Sequence, residues 1–173
     1  MEKRILIVPI GEIETELLDW LKVKLEEKFL RKVEILSEMK GVDYTYNPKR
    51  NQYYSTAILK RLAKIERNKE DFILGIIDKD LYVPELNFVF GEADVINKVA
   101  IIGLSRLREE FYGLSPNRNI FLERVLKEAV HEIGHLYGFG HCLNPNCVMF
   151  FSNSLSDTDR KSSNFCSKHK IRE

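Results

Sequence analysis

Apolar residues in this chain change their spacing several times, and each change marks an element. Arg4 to Ile10 is an apolar, partly β-branched run that ends at Pro9 and Gly11, the signature of a buried strand. From Glu12 to Phe29 the positions Ile13, Leu17, Leu18, Leu21, Leu25 and Phe29 recur mostly every three or four residues, predicting a helix whose core-facing stripe takes in Trp20. Lys32 to Leu36 alternates polar and apolar as a second strand would, and the turn residues of Asn47 to Asn51 predict an exposed loop. A second helix is predicted from Tyr54 to Arg67, with Ile58, Leu62 and Ile65 on one face, and a buried third strand from Asp71 to Ile77. Two short strands follow, Asn87 to Phe90 and Val99 to Leu104. They are too close for an easy crossover, so at least one should run antiparallel to its neighbours. Arg118 to Tyr137 then reads as one long helix.

These elements predict an α/β (α+β) fold: a mixed twisted sheet with an antiparallel edge strand, helices packed on it, and a long helix near its end. The length of 173 residues suits a single domain, 1–173. Its sheet-bearing part is expected over 1–138. The remainder, 139–173, is rich in Gly, Asn, Pro, Cys and Ser and too poor in apolar residues for a large core of its own, so something else must pin it.

Charge narrows the partners. With 27 Lys+Arg against 26 Asp+Glu, nothing electrostatic singles out nucleic acid or membrane as a partner. The amino-terminal apolar run is too short for a secretory leader, and no segment approaches the length of a membrane span. A cytoplasmic monomer is the expectation.

The chemistry is concentrated at one end. All four histidines and all three cysteines lie between His131 and His169, as a metal site would require, since its imidazoles and thiolates must converge. His131-Glu132-Ile133-Gly134-His135 on a helix puts two imidazoles on one face, with Glu132 rotated to its side. Gly138 and His141 follow at three-residue intervals. A continuing helix would carry His141 to the wrong side. The chain must therefore turn back, and a glycine can take the left-handed conformation that such a turn needs. His131, His135 and His141 are thus expected to hold a catalytic zinc with one corner open, and Glu132 to serve as general base. The other four ligands, Cys142, Cys147, Cys166 and His169, form two knuckles that suit a closed, structural zinc, which would anchor the carboxyl-terminal segment. Two zinc ions are expected in all.

Through His131, Glu132, His135, Gly138, His141 and Cys142, then Cys147-Val148-Met149 and Cys166, the sequence resembles the archaemetzincins, small zinc peptidases of the metzincin type. The resemblance implies that Met149 forms a Met-turn beneath the catalytic zinc and that the ligands from Cys142 to His169 bind the second ion. It also implies that Asn87, Phe88, Val89 and Phe90 form the edge strand along which an extended peptide pairs. Two positions depart from related patterns. His169 stands where the family usually has a fourth cysteine, and Phe151 where some other metzincins carry a tyrosine that assists the transition state. The expected activity is hydrolysis of peptides or unfolded protein. A silent zinc-stabilised peptide-binding protein and a zinc amidase acting on a small molecule are the rival expectations.

Overall fold

The computed structural model describes residues 2–172. In chain order its elements are β1 (Arg4–Ile10), α1 (Thr15–Phe29), β2 (Lys32–Ile35), β3 (Tyr46–Asn47), β4 (Gln52–Tyr54), α2 (Ser55–Leu62), β5 (Phe72–Ile77), β6 (Leu81–Tyr82), β7 (Gly91–Asp94), β8 (Val99–Gly103), α3 (Arg118–Leu136) and α4 (Leu155–Arg160). Five strands form the main sheet in the order β2-β1-β5-β8-β7, parallel except for β7, which pairs antiparallel with β8.

The sheet is buried on both faces, and the strand period of two assigns each side chain to one of them. Ile5 and Ile7 of β1, Phe72, Leu74 and Ile76 of β5, and Ala100 and Ile102 of β8 meet the core beneath α1 and α3. Leu6, Val8 and Ile10, Ile73 and Ile77, and Val99 and Ile101 point the other way, towards α2. Continuous apolar runs such as Phe72 to Ile77 are what this two-sided burial demands. Trp20 is partly buried against the first of the two cores, in keeping with its place on the helical stripe.

Three expectations need correction. The second helix stops at Leu62 instead of reaching Arg67, and Arg67 turns back to donate to the Ala63 and Ile65 carbonyls at 3.2 and 2.8 Å. Those bonds satisfy carbonyls that a longer helix would have paired internally. The turn residues 48–51 are exposed or half-exposed as expected, but they close a small second sheet, β3-β4-β6, that the pattern did not reveal. The third correction concerns the edge strand. Asn87 to Phe90 is not a strand; the antiparallel edge is β7, four residues later, and Val89 contributes only an isolated bridge to Leu81. Register explains the shift. The turn at 95–98 fixes Asp94 opposite Val99, and Gly91 is already opposite Ile102, so the partner strand has almost run out before Phe90 is reached.

Among the described residues no helix is long and apolar enough to cross a membrane.

Candidate active site and metal centres

Helix α3 delivers the site. Asn117 caps it, its side chain accepting from the Ile120 amide at 3.1 Å, and buried Val125, Ala129, Val130 and Ile133 seat it on the sheet. That seating brings the last turns of α3 beneath β7. His131 and Glu132 are buried, and His135 one turn on is half-buried. The helix ends at Leu136, and Gly138 reverses the chain with φ +90° while its amide donates to the His135 carbonyl at 2.9 Å. The expected left-handed turn is therefore present, and it returns His141 to the other two histidines.

The three imidazoles surround one point. Their ring centroids lie 4.7 Å (His131–His135), 5.0 Å (His135–His141) and 5.5 Å (His131–His141) apart. His131 Nδ1 is 2.7 Å from the Val148 carbonyl and His135 Nδ1 is 2.7 Å from the Phe139 carbonyl. Each Nδ1 therefore carries the donating proton and each Nε2 keeps its lone pair. Those two lone pairs face each other, with Nε2 atoms 3.2 Å apart. Two acceptors so close repel unless a cation lies between them. A tetrahedron built on Zn–N bonds of about 2.0–2.1 Å has an edge of about 3.3 Å, so the residues present fit zinc. Burial holds His131 well below the ordinary imidazole range, with the Lys161 charge adding to the effect, and burial also lowers His135 and His141. All three are thus neutral near pH 7, the form a metal requires.

Glu132 lies at the side of the trio in a cavity of about 40 Å3, lined by Phe88, Val89, Phe90, Gly91, Glu128, His131, Phe151 and Ser152 as well. Burial pushes its carboxyl well above the usual carboxylate range, Glu128 pushes the same way, and Lys161 opposes them. Met149 is fully buried, and a Cβ placed on Gly134 would collide with its Sδ. The methionine is therefore pressed against the helix between His131 and His135, as a floor would be.

The second group is adjacent. Cys142 Sγ and Cys166 Sγ are 3.8 Å apart, and His169 Nδ1 lies 3.3 Å from Cys166 Sγ and 3.7 Å from Cys147 Sγ. These spacings are far from the roughly 2.05 Å of a disulfide. They match the edges of a zinc tetrahedron made of three thiolates and one imidazole, about 3.8 Å between sulfurs and about 3.6 Å from sulfur to nitrogen. Backbone amides of Asn144, Met149 and Cys166 point at the sulfurs from 3.4–3.5 Å. The Cys166 thiol is drawn down to about 6, first by a backbone hydrogen bond from Lys168 and then by its neighbours in the group, whereas burial raises that of Cys147.

A family model described as peptidase family M54 matches residues 11–172. The chain belongs to that family. As an M54 peptidase it is a zinc metallopeptidase, a hydrolase acting on peptides. Archaemetzincin of Methanocaldococcus jannaschii is 48% identical over 168 residues, covering 97% of this chain and 91% of the relative. Archaemetzincin of Pyrococcus furiosus is 42% identical over 172 residues, 96% of this chain and 90% of the other. Among solved structures, archaemetzincin of Methanopyrus kandleri superposes with a TM-score of 0.83 at 37% identity, covering 96% of this chain and 91% of that one. A zinc-dependent peptidase of Methanocorpusculum labreanum gives 0.86 at 30% identity, covering 95% and 96%. The M54 fold is thus shared along nearly the whole length.

Every residue expected to hold metal is found in one of two clusters, the histidine trio or the group of three cysteines and His169. Phe88, Val89 and Phe90 line the cavity beside Glu132 although they are no strand, while the Asn87 carbonyl instead accepts from Gln52 Nε2 at 2.8 Å. Phe151 packs on His141 with ring centroids 4.9 Å apart. Four residues packed around Glu132 and the histidine trio escaped the pattern reading. A Cβ on Gly91 would meet Glu132 Oε1 at 2.8 Å and the Ile101 carbonyl at 2.6 Å, so β7 passes directly over the carboxylate. Gly134 makes room for Met149. Glu128 and Lys161 form a buried ion pair at 3.2 Å, and Lys161 also donates to the Phe150 carbonyl at 3.2 Å. Glu128 alone had a signal: it lies one turn before Glu132 on the same helix face.

Proposed function

We propose that this peptidase hydrolyses peptide bonds at a zinc held by His131, His135 and His141, with Glu132 as general base, and that Cys142, Cys147, Cys166 and His169 hold a second, structural zinc. The observation that carries the reading is the pair of imidazole lone pairs 3.2 Å apart beside a buried carboxylate. Zinc bound there supplies a Lewis acid that acidifies water and polarises the scissile carbonyl. Glu132 takes the proton from the attacking water and later returns it to the departing amine, a double duty that needs one carboxylate beside both atoms. Burial raises its proton affinity, which helps it hold the proton between the two transfers.

The substrate lies extended along β7, the antiparallel edge, whose free side offers main-chain hydrogen bonds with little side-chain preference. Phe88, Val89 and Phe90 form an apolar lip to the cleft. His141 is exposed, so the open side of the trio faces the solvent through which a peptide arrives. Neither a silent peptide-binding protein nor a small-molecule amidase has an observation of its own in its favour.

Glu132→Gln tests the assignment. Zinc content should stay at the wild-type value while kcat/KM on a peptide library falls about a thousandfold, within the usual range for loss of a general base. Full activity in this variant would remove Glu132 from the mechanism.

A further inference from the structure

Ser152 Oγ is buried and has no hydrogen-bond partner, the one such side-chain atom among the described residues. The residue as a whole is 9% exposed. An unpaired hydroxyl removed from water costs about 1–3 kcal/mol, and a fold rarely retains one without a use for it. Its position shows the use. Ser152 follows Phe151 directly, three residues past Met149, and lines the same small cavity as His131 and Glu132. Phe88, Val89, Phe90 and Phe151 make most of the remaining wall, and none of their side chains offers a donor.

We propose that the Ser152 hydroxyl donates a hydrogen bond to a carbonyl oxygen of the bound peptide at the reacting bond, making Ser152 a catalytic residue of this cleft. The proposal rests on the peptidase reading above. It assigns to a serine the donor role that the aromatic side chain of Phe151 cannot fill. The physical basis is preorganisation. A donor fixed by burial and committed to no protein acceptor needs no reorganisation when charge develops on the substrate oxygen, and in a water-poor cavity its bond is stronger than in solvent.

The test compares Ser152→Ala and Ser152→Thr with the wild-type zinc-loaded enzyme. A serine that serves the fold would lower the melting temperature when truncated. An unpaired serine that serves the reaction should not, because alanine removes a buried polar atom that had no partner. The expected result for Ser152→Ala is a melting temperature equal to or above wild type, unchanged zinc content, and kcat lowered ten- to a hundredfold with KM nearly constant. Ser152→Thr, which keeps the hydroxyl, should recover part of the loss. Should the added methyl prevent folding, a separate measurement remains: in the Glu132→Gln background, adding Ser152→Ala should weaken binding of a carbonyl-polarised peptide analogue, such as a trifluoromethyl ketone, at least fivefold. Wild-type kcat in Ser152→Ala overturns the proposal, as does a loss of activity that merely tracks a fall in melting temperature. Failure of the wild-type enzyme to cleave any peptide would instead overturn the peptidase reading, so the two outcomes are distinct.

Discussion

Gly91 and Gly134 do for this site what no polar residue could: they leave room. A methyl on Gly91 would press on both the Ile101 carbonyl and the Glu132 carboxylate, and neither can move freely, one being backbone and the other buried. Gly91→Ala is therefore expected to destabilise the protein by roughly 1–3 kcal/mol, the usual cost of overpacking, and to lower kcat more than it raises KM because the base is displaced. Urea unfolding together with steady-state kinetics checks both effects, and an unperturbed kcat would contradict the close approach of β7 to Glu132. At this scale the sequence was legible wherever chemistry and spacing coincide. Two histidines four apart on a helix and a glycine poised for a reversal carry their meaning locally. Gly91 and Ser152 are distant from the motif or lie in an ordinary loop, and only tertiary packing brings them to Glu132.

Among elements, α4 contributes more than its six residues suggest. It holds buried Thr158, whose hydroxyl donates to Glu128 at 3.0 Å, and it leads into Lys161, which is fully buried between Glu128 and the Phe150 carbonyl. Lys127 reaches from α3 to the Thr158 and Asp159 carbonyls at 3.2 and 3.3 Å, and Arg124 grips Asp159 with two bonds of 2.8 and 2.9 Å. Polar contacts thus dock the segment on the active-site helix, with Leu155 as its apolar contact to the core. Lys161→Met should cost about 3–5 kcal/mol because it strands the Glu128 charge, whereas Lys161→Met with Glu128→Met should recover most of that loss. Thermal unfolding of the two variants decides it, and equal stability would deny the ion pair its role. The long elements were readable from their periods. β7, with the sequence Gly-Glu-Ala-Asp, was not, because its strand character comes from pairing with β8 and not from its own residues.

For the whole molecule, the two cores on either face of the sheet hold the first 136 residues as regular layers, while the remainder adds Cys147, Val148 and Met149 to the first of them and is tied to α3 by ion pairs. On the function proposed above, a second zinc would act as a staple, tying Cys142 and Cys147 near the histidine trio to Cys166 and His169 near the chain end. Cys147→Ser should leave one zinc in place of two and lower the melting temperature, read by metal analysis and calorimetry. Two zinc ions retained in this variant would show that Cys147 is not a required ligand. The paucity of apolar residues after Gly138 is the sequence's argument for expecting such a staple; the α4 ion pairs did not show in the sequence, since Lys161 and Glu128 look like ordinary surface charges until the fold buries them.

Gly138 has φ +90° yet nothing within 4 Å of where a methyl would sit. The demand at this position is therefore one of handedness and not of size. Any L-amino acid there is opposed by its own backbone, while its mirror image, introduced by chemical ligation, would be at ease in the same open space. The bend that brings the third imidazole home is a stereochemical choice, and glycine is the one coded residue that does not have to make it.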